Sequence, residues 1–274
     1  TGKGQYTDDI TLPGQTHAYF LRSPYAHARI KSLNTAAAAA AEGVLGIFTG
    51  EHFKAVGGLP CGWLINSQDG AAMKEPKHPV LADGKVRYVG DRVAMVVAET
   101  LEQAKAAAQL IDVQYEELTP VVDTGAAAGA ASSVHDEAPD NRCYTWGIGD
   151  KDGAEAALKT AAHVTTLQFR NNRLIPNAME PRCANAFYDT NADNYTLYVS
   201  NQNPHVERLL MCAFVLGIPE HKMRVVAPDV GGGFGSKIYL YGEETALVFA
   251  SKSIKRPIKW TCDRSEAFLS DAHG

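Results

Sequence analysis

At 274 residues, with 45% hydrophobic and 21% charged side chains, the chain has the composition of an ordinary soluble globular protein with a sizeable core. Its 26 basic and 31 acidic residues leave a net charge of −5 and no basic block, so nothing electrostatic points to nucleic acid or an anionic membrane. Charges or turn residues interrupt every apolar run well short of the roughly 20 residues that a membrane-spanning helix needs.

In chain order, strand and helix signals alternate through the first third. THAYFLRS (16–23) is β-rich, and SPYAHARI follows through a turn. Thr35 before an alanine run and Gly43 predicts a short capped helix, and VLGIFTG (44–50) predicts a buried strand. KVRYVGDRVAMVVAET (85–100) reads as two strands around Gly90-Asp91, LEQAKAAAQLI (101–111) as an amphipathic helix, and DVQYEEL as the next strand. From Pro120 to Val134 periodicity is lost among small residues, as in a linker.

After that stretch, GAEAALKTAAHV (153–164) predicts a helix running into a strand, and AFYDTNADNYTLYVSNQ (186–202) a hairpin. HVERLLMCAFVLG (205–217) is an amphipathic helix stopped by Gly217 and Pro219, KMRVVAPDV (222–230) a buried strand, 241–253 a helix and RPIKWTCD (256–263) a last strand. This mixed order predicts an α+β fold rather than a doubly wound sheet. The five cysteines have neither zinc nor iron–sulfur spacing, and their odd number fits reduced thiols in a cytoplasmic protein without a signal peptide. Thr1 is not a start methionine, and Asp263 with Glu266 forms a capping-box signature just before the sequence stops at Gly274, so a piece of a longer chain is expected.

Three stretches could carry chemistry. DVGGGFGSK (229–237) is neither of the common phosphate loops: Ser236 separates Gly235 from Lys237, and it also occupies the third glycine position of the dinucleotide fingerprint. Amides converging there at a helix start would suit an anion or a strongly polar acceptor, while glycines that let a sheet edge approach its neighbour would suit packing alone; the glycines do not separate the two. Phe234 among them favours a site. SNQNPH (200–205) offers Gln202 as donor and acceptor, or a polar filler in a turn. NAMEPR (177–182) offers a carboxylate and a guanidinium, a combination that commonly forms a structural salt bridge.

Taken in order, YTDDI, LPG, RSPYAHARI, PVLADGKVRYVGDRVAMVVAE, MEPR, SNQNPH, APDVGGGFGSK and RPIKWTCDRSE closely resemble the large subunit of the molybdenum hydroxylases, the family of aerobic carbon monoxide dehydrogenase, xanthine dehydrogenase and aldehyde oxidase. The resemblance implies an α/β-hammerhead domain over 1–118, a linker over 119–134 and an incomplete molybdopterin-binding domain over 135–274. It implies a molybdenum-bearing molybdopterin, as the cytosine dinucleotide, in the full-length protein but not in this fragment alone. Gly232, Gly233, Phe234 and Gly235 match the loop beside the cofactor, with Phe234 lining the active site, and Gln202 matches the glutamine that approaches an oxygen on molybdenum. Asn201 stands where the family has threonine, and Ile238 replaces the glutamate of the purine-oxidising members, which points away from purines. No protein metal ligand is expected, and the family's glutamate base lies outside this chain. Partners implied are an iron–sulfur and an FAD subunit or domain and a small-molecule substrate. A standalone non-catalytic module that keeps the fold for partner binding is the alternative.

Overall fold

A computed structural model describes residues 2–272. The sequence ends discussed above, Thr1 and Gly274, lie outside the described residues. The chain forms two compact units, Cys61–Pro76 with Val121–Leu174 in one and the remainder in the other.

The larger unit is organised by a seven-stranded sheet in the order β3-β5-β1-β10-β7-β8-β9. Its strands are β1 (Thr16–Arg22), β3 (Val44–Thr49), β5 (Arg92–Ala98), β7 (Cys183–Asp189), β8 (Asn194–Val199), β9 (Met223–Val226) and β10 (Ile258–Thr261). A second sheet pairs β2 (Ala28–Asn34) with β4 (Lys85–Val86) and β6 (Asp112–Glu117). The apolar run of β5 is buried throughout because successive side chains leave a strand on opposite faces. Met95 and Val97 enter a core with Phe20, Trp260 and helix α5 (Gly242–Ile254). Ala94, Val96 and Ala98 meet Ala104, Ala107 and Ala108 of helix α2 (Leu101–Ala108), whose Thr100 accepts a capping bond from the Gln103 amide. The short helix α1 (Ala36–Ala39) buries Ala38 against the same alanine-rich face.

Two strands differ from the sequence expectation. β3 is a sheet edge and buries only Phe48, so its apolar character reflects one covered face. β9, with Val225 and Val226 half-buried, is also an edge strand. The hairpin β7–β8 and the helix start at Asp263 are as expected: Asp263 Oδ1 accepts from the Glu266 amide at 2.8 Å in helix α6 (Arg264–Ser270). Helix α4 (Pro204–Leu210) continues into a π-helical turn, Met211–Leu216, that ends at Gly217 with φ 63°.

Beneath α5 lies a buried charge cluster. The Glu243 carboxylate accepts from Arg22 at 2.8 Å, Arg182 at 3.2 Å and Arg92 at 3.4 Å. Arg22 also pairs with Glu266 at 2.9 Å and Arg182 with Asp271 at 2.6 Å, so the positive and negative charges balance. The three guanidinium groups hold the Glu243 carboxyl well below the usual range despite its burial. Glu180 and Arg182 therefore do not pair with each other; Arg182 belongs to this cluster, and Glu180 goes elsewhere.

In the smaller unit, 61–76 turns back on itself through a bridge between Asn66 and Ala72, and the Gln68 amide donates to Thr145 O at 2.9 Å. Helix α3 (Lys151–Thr160) is capped by Asp150 and buries none of its residues. The strand expected after it does not form: residues 161–174 are exposed and carry no ladder bonds, and a strand without a paired neighbour leaves its amides to solvent.

Candidate functional site

All three candidate stretches reach one end of the large sheet, and the topology requires it. β8 runs parallel to β9 and antiparallel to β7. The residues just before β7, just after β8 and just after β9 therefore emerge together. These are NAMEPR, SNQ and the glycine loop. The loop's entry is fixed where Asp229 pairs with the N-terminal segment, its amide donating to Gln5 O at 3.0 Å and its side-chain carboxylate accepting from the Gln5 amide at 2.8 Å.

The glycines are required here for two different reasons. A Cβ on Gly231 would collide with Cβ of Glu180, and one on Gly233 with the end of Gln202. Gly232 and Gly235 instead adopt φ of 100° and 94°. Phe234 sits at φ 50° and is 74% exposed. A bulky residue in left-handed backbone is uncommon and strained.

Gln202 spans the loop. Its Oε1 accepts from the amides of Gly235 at 3.0 Å and Lys237 at 3.2 Å, and its own amide donates to Lys237 O at 2.9 Å. Because two N–H donors need an oxygen, the carboxamide orientation is fixed, and its Nε2 hydrogens point away from those amides. Nε2 has no acceptor among the described residues, nor do the amides of Gly232, Gly233 and Phe234. The loop therefore presents bare donors beside an exposed aromatic ring.

Behind the loop, Glu180 Oε2 accepts from the Gly231 amide at 2.7 Å, the Ser200 hydroxyl at 2.6 Å and the Lys237 ammonium at 3.1 Å. Lys237 Nζ donates further to Glu180 O at 2.8 Å and Ser200 Oγ at 2.7 Å. Burial lowers the Lys237 pKa, and the Glu180 carboxylate opposes that shift. The Ser236 hydroxyl closes the turn onto Gly233 O at 2.9 Å, and Tyr241 OH donates to Ser236 O at 2.6 Å.

The structure thus brings Gln202 and the residues Gly232, Gly233, Phe234 and Gly235 together. Not every loop amide is open: those of Gly231 and Gly235 pair with Glu180 and Gln202. Ile238 follows the loop, 44% exposed. Sequence reasoning missed Ser200 and Lys237, and gave Glu180 the wrong partner; the only signal for them was adjacency to the glycines and to Gln202. Chemically, the arrangement can receive a polar acceptor or anion with several fixed N–H groups and cover one side with Phe234. Among the described residues no helix is long and apolar enough to cross a membrane.

A family model for the molybdopterin cofactor-binding domain matches residues 134–274, and one for the aldehyde oxidase and xanthine dehydrogenase a/b hammerhead domain matches residues 1–119. The nicotine 6-hydroxylase large subunit of Paenarthrobacter nicotinovorans is 35% identical across 100% of this chain and 33% of its own length. The carbon monoxide dehydrogenase large chain of Hydrogenophaga pseudoflava is 35% identical across 99% of this chain and 35% of its own. Reconstituted CO dehydrogenase from Oligotropha carboxidovorans superposes with a TM-score of 0.87 at 34% identity, over 100% of this chain and 34% of that one. The chain therefore spans about a third of the length of the curated relatives it matches. It belongs to the molybdenum hydroxylase large-subunit family of carbon monoxide dehydrogenase, xanthine dehydrogenase and aldehyde oxidase.

Proposed function

We propose that this chain forms one wall of the cofactor site in the molybdenum subunit of an oxidoreductase, a carbon monoxide dehydrogenase-like enzyme or an aldehyde or N-heterocycle hydroxylase. The carrying observation is the row of amides at Gly232, Gly233 and Phe234 without protein acceptors, flanked by the free Nε2 of Gln202. That donor set fits a molybdenum–molybdopterin group, which would offer it oxygen and nitrogen acceptors. Bound there, as the cytosine dinucleotide in this reading, the group would supply two-electron oxidation coupled to incorporation of oxygen from water.

This chain's residues bind and orient. Gly232, Gly233 and Gly235 carry the backbone close to the cofactor, and the fixed amides of Gly232, Gly233 and Phe234 stabilise negative charge without reorganising. Gln202, pinned through Oε1, offers its Nε2 hydrogens at the reacting end. Phe234 covers the substrate's approach and excludes water. The glutamate base of the family lies outside this chain, as do iron–sulfur and FAD partners that would accept the electrons. Ile238 cannot recognise a purine as a glutamate would, so the substrate is carbon monoxide, an aldehyde or another N-heterocycle. The isolated chain is expected to hold no stoichiometric molybdenum, since most of the cofactor's contacts are missing; elemental analysis giving about one molybdenum per chain would overturn that.

The main test is Gln202→Ala in the intact subunit, comparing turnover per bound molybdenum with carbon monoxide, an aldehyde and an N-heterocycle offered in turn and a dye as electron acceptor. Loss of a donor aimed at developing charge should lower the rate about 10²-fold. An unchanged rate would reduce Gln202 to a turn residue.

A further inference from the structure

The two ends of the glycine loop are tied to the same carboxylate oxygen. Gly231 opens the loop and donates its amide to Glu180 Oε2 at 2.7 Å; Lys237 closes it and donates its ammonium to that oxygen at 3.1 Å. Ser200, which directly follows β8 and stands two residues before Gln202, donates to the same oxygen at 2.6 Å. An ammonium has three protons to give, and Lys237 Nζ has three acceptors inside the protein: Glu180 O, Glu180 Oε2 and Ser200 Oγ. Its side chain is only 2% exposed. Lys237 therefore has no proton left for a ligand, and its charge is spent on holding the loop. Charge-assisted bonds of this kind are shorter and about twice as strong as neutral ones, which suits them to fixing a backbone made of glycine.

We propose that Glu180, Ser200 and Lys237 are positioning residues that hold the two ends of the loop at a set separation and thereby aim the amides of Gly232, Gly233 and Phe234 and the Gln202 carboxamide. This rests on the cofactor-site reading above and adds residues to it. A purely structural ion pair would need no contact with Gly231, nor would it place its hydroxyl partner next to the strand end that carries Gln202. Here both features coincide. The carboxylate reaches the loop entry, the ammonium reaches the loop exit, and the serine couples both to the Gln202 segment.

The test uses the intact subunit with its cofactor. Glu180→Gln keeps the shape and removes the charge; Ser200→Ala removes one hydroxyl and leaves the ion pair, so it carries the test if Glu180→Gln does not accumulate. Hydrogen–deuterium exchange across 231–237 should quicken roughly tenfold or more in either variant, while amides of β7 and β8 change less than about threefold. Turnover at saturating substrate should fall about tenfold with KM nearly unchanged, the signature of misaimed groups rather than lost binding. Unchanged loop exchange, exchange that rises equally throughout the larger unit, or an unchanged turnover number would each overturn the proposal. Gln202→Ala measured alongside separates the two ideas. If it slows turnover while Glu180→Gln and Ser200→Ala do not, only the positioning role fails. If Gln202→Ala is silent, the site reading fails whatever the loop exchange does.

Discussion

Glu180 and Arg182 are two residues apart and enter two opposite kinds of polar environment. Arg182 is fully buried in the cluster around Glu243, where each ionic side chain has an opposite charge in contact. Glu180 supports a loop in which three successive amides and the Gln202 Nε2 have no acceptor among the described residues. Both regions are polar, and both flank the start of β7. The difference is satisfaction. A closed set of charges holds a fold, whereas donors without protein partners at an exposed loop remain open to solvent or to a ligand.

That contrast can be broken most forcefully in the closed set. Glu243→Ala would leave three buried guanidinium groups facing one another, and removing one partner of a buried ion pair costs about 3–5 kcal/mol. Chemical denaturation should show a loss of that order or no folded protein; a small change would mean that the cluster is not a closed unit.

A second buried polar pair occupies neither category. The carboxyl of Glu207 in α4 is buried, and the one polar side chain it meets there among the described residues is Glu244 in the first turn of α5, with which it shares a hydrogen bond. Burial pushes the Glu207 carboxyl far up, with the Glu244 charge adding to it. Burial likewise raises Glu244 from 4.5 to about 7, opposed by Arg182 and by the Tyr241 amide and reinforced by Glu243. The folded state then keeps protons that the unfolded chain releases, so stability falls as pH rises from about 4.5 to about 7. Glu207→Gln, which can donate to Glu244 without a titrating proton, should flatten the decline in the denaturation midpoint across that window. An unaltered slope would show that the pair does not titrate there.

The smallest effect belongs to the open set. Phe234→Gly removes an exposed ring and relieves a left-handed φ, so stability should change by no more than about 1 kcal/mol, in either direction. A loss of about 3 kcal/mol or more would mean that the ring is a core residue and the loop a packing device.

Much of the architecture was legible because it is written in local periods. The continuous apolar run in RVAMVVA, the Asp263 cap and the β7–β8 hairpin all follow from neighbours in sequence. The glycine loop and Gln202 were also visible, although composition alone left site and packing level, and the family resemblance supplied their roles. What could not be read was long-range pairing. Glu180 meets Lys237 across 57 residues, while Arg182, close enough to look like its partner, meets Glu243 across 61. No periodicity encodes such pairings. The strand expected after α3 failed for a related reason: the residues allow an extended chain, but the neighbour that would make it a strand is a tertiary matter.

The seam between β1 and β10 has a consequence in time. Thr16 Oγ1 bonds to Pro257 O, 241 residues along the chain, and Thr16 pairs with Ile258 in parallel register. At the roughly 5–20 residues per second of protein synthesis, β1 waits about 10–50 s for the strand that covers one of its edges. During that interval the nascent sheet can pair β1 with β5, but its other flank presents unbonded amides and carbonyls, the kind of edge that recruits stray strands. Closure of this seam is therefore the late event in assembling the sheet, and the one that joins the strands on either side of it into a single ladder.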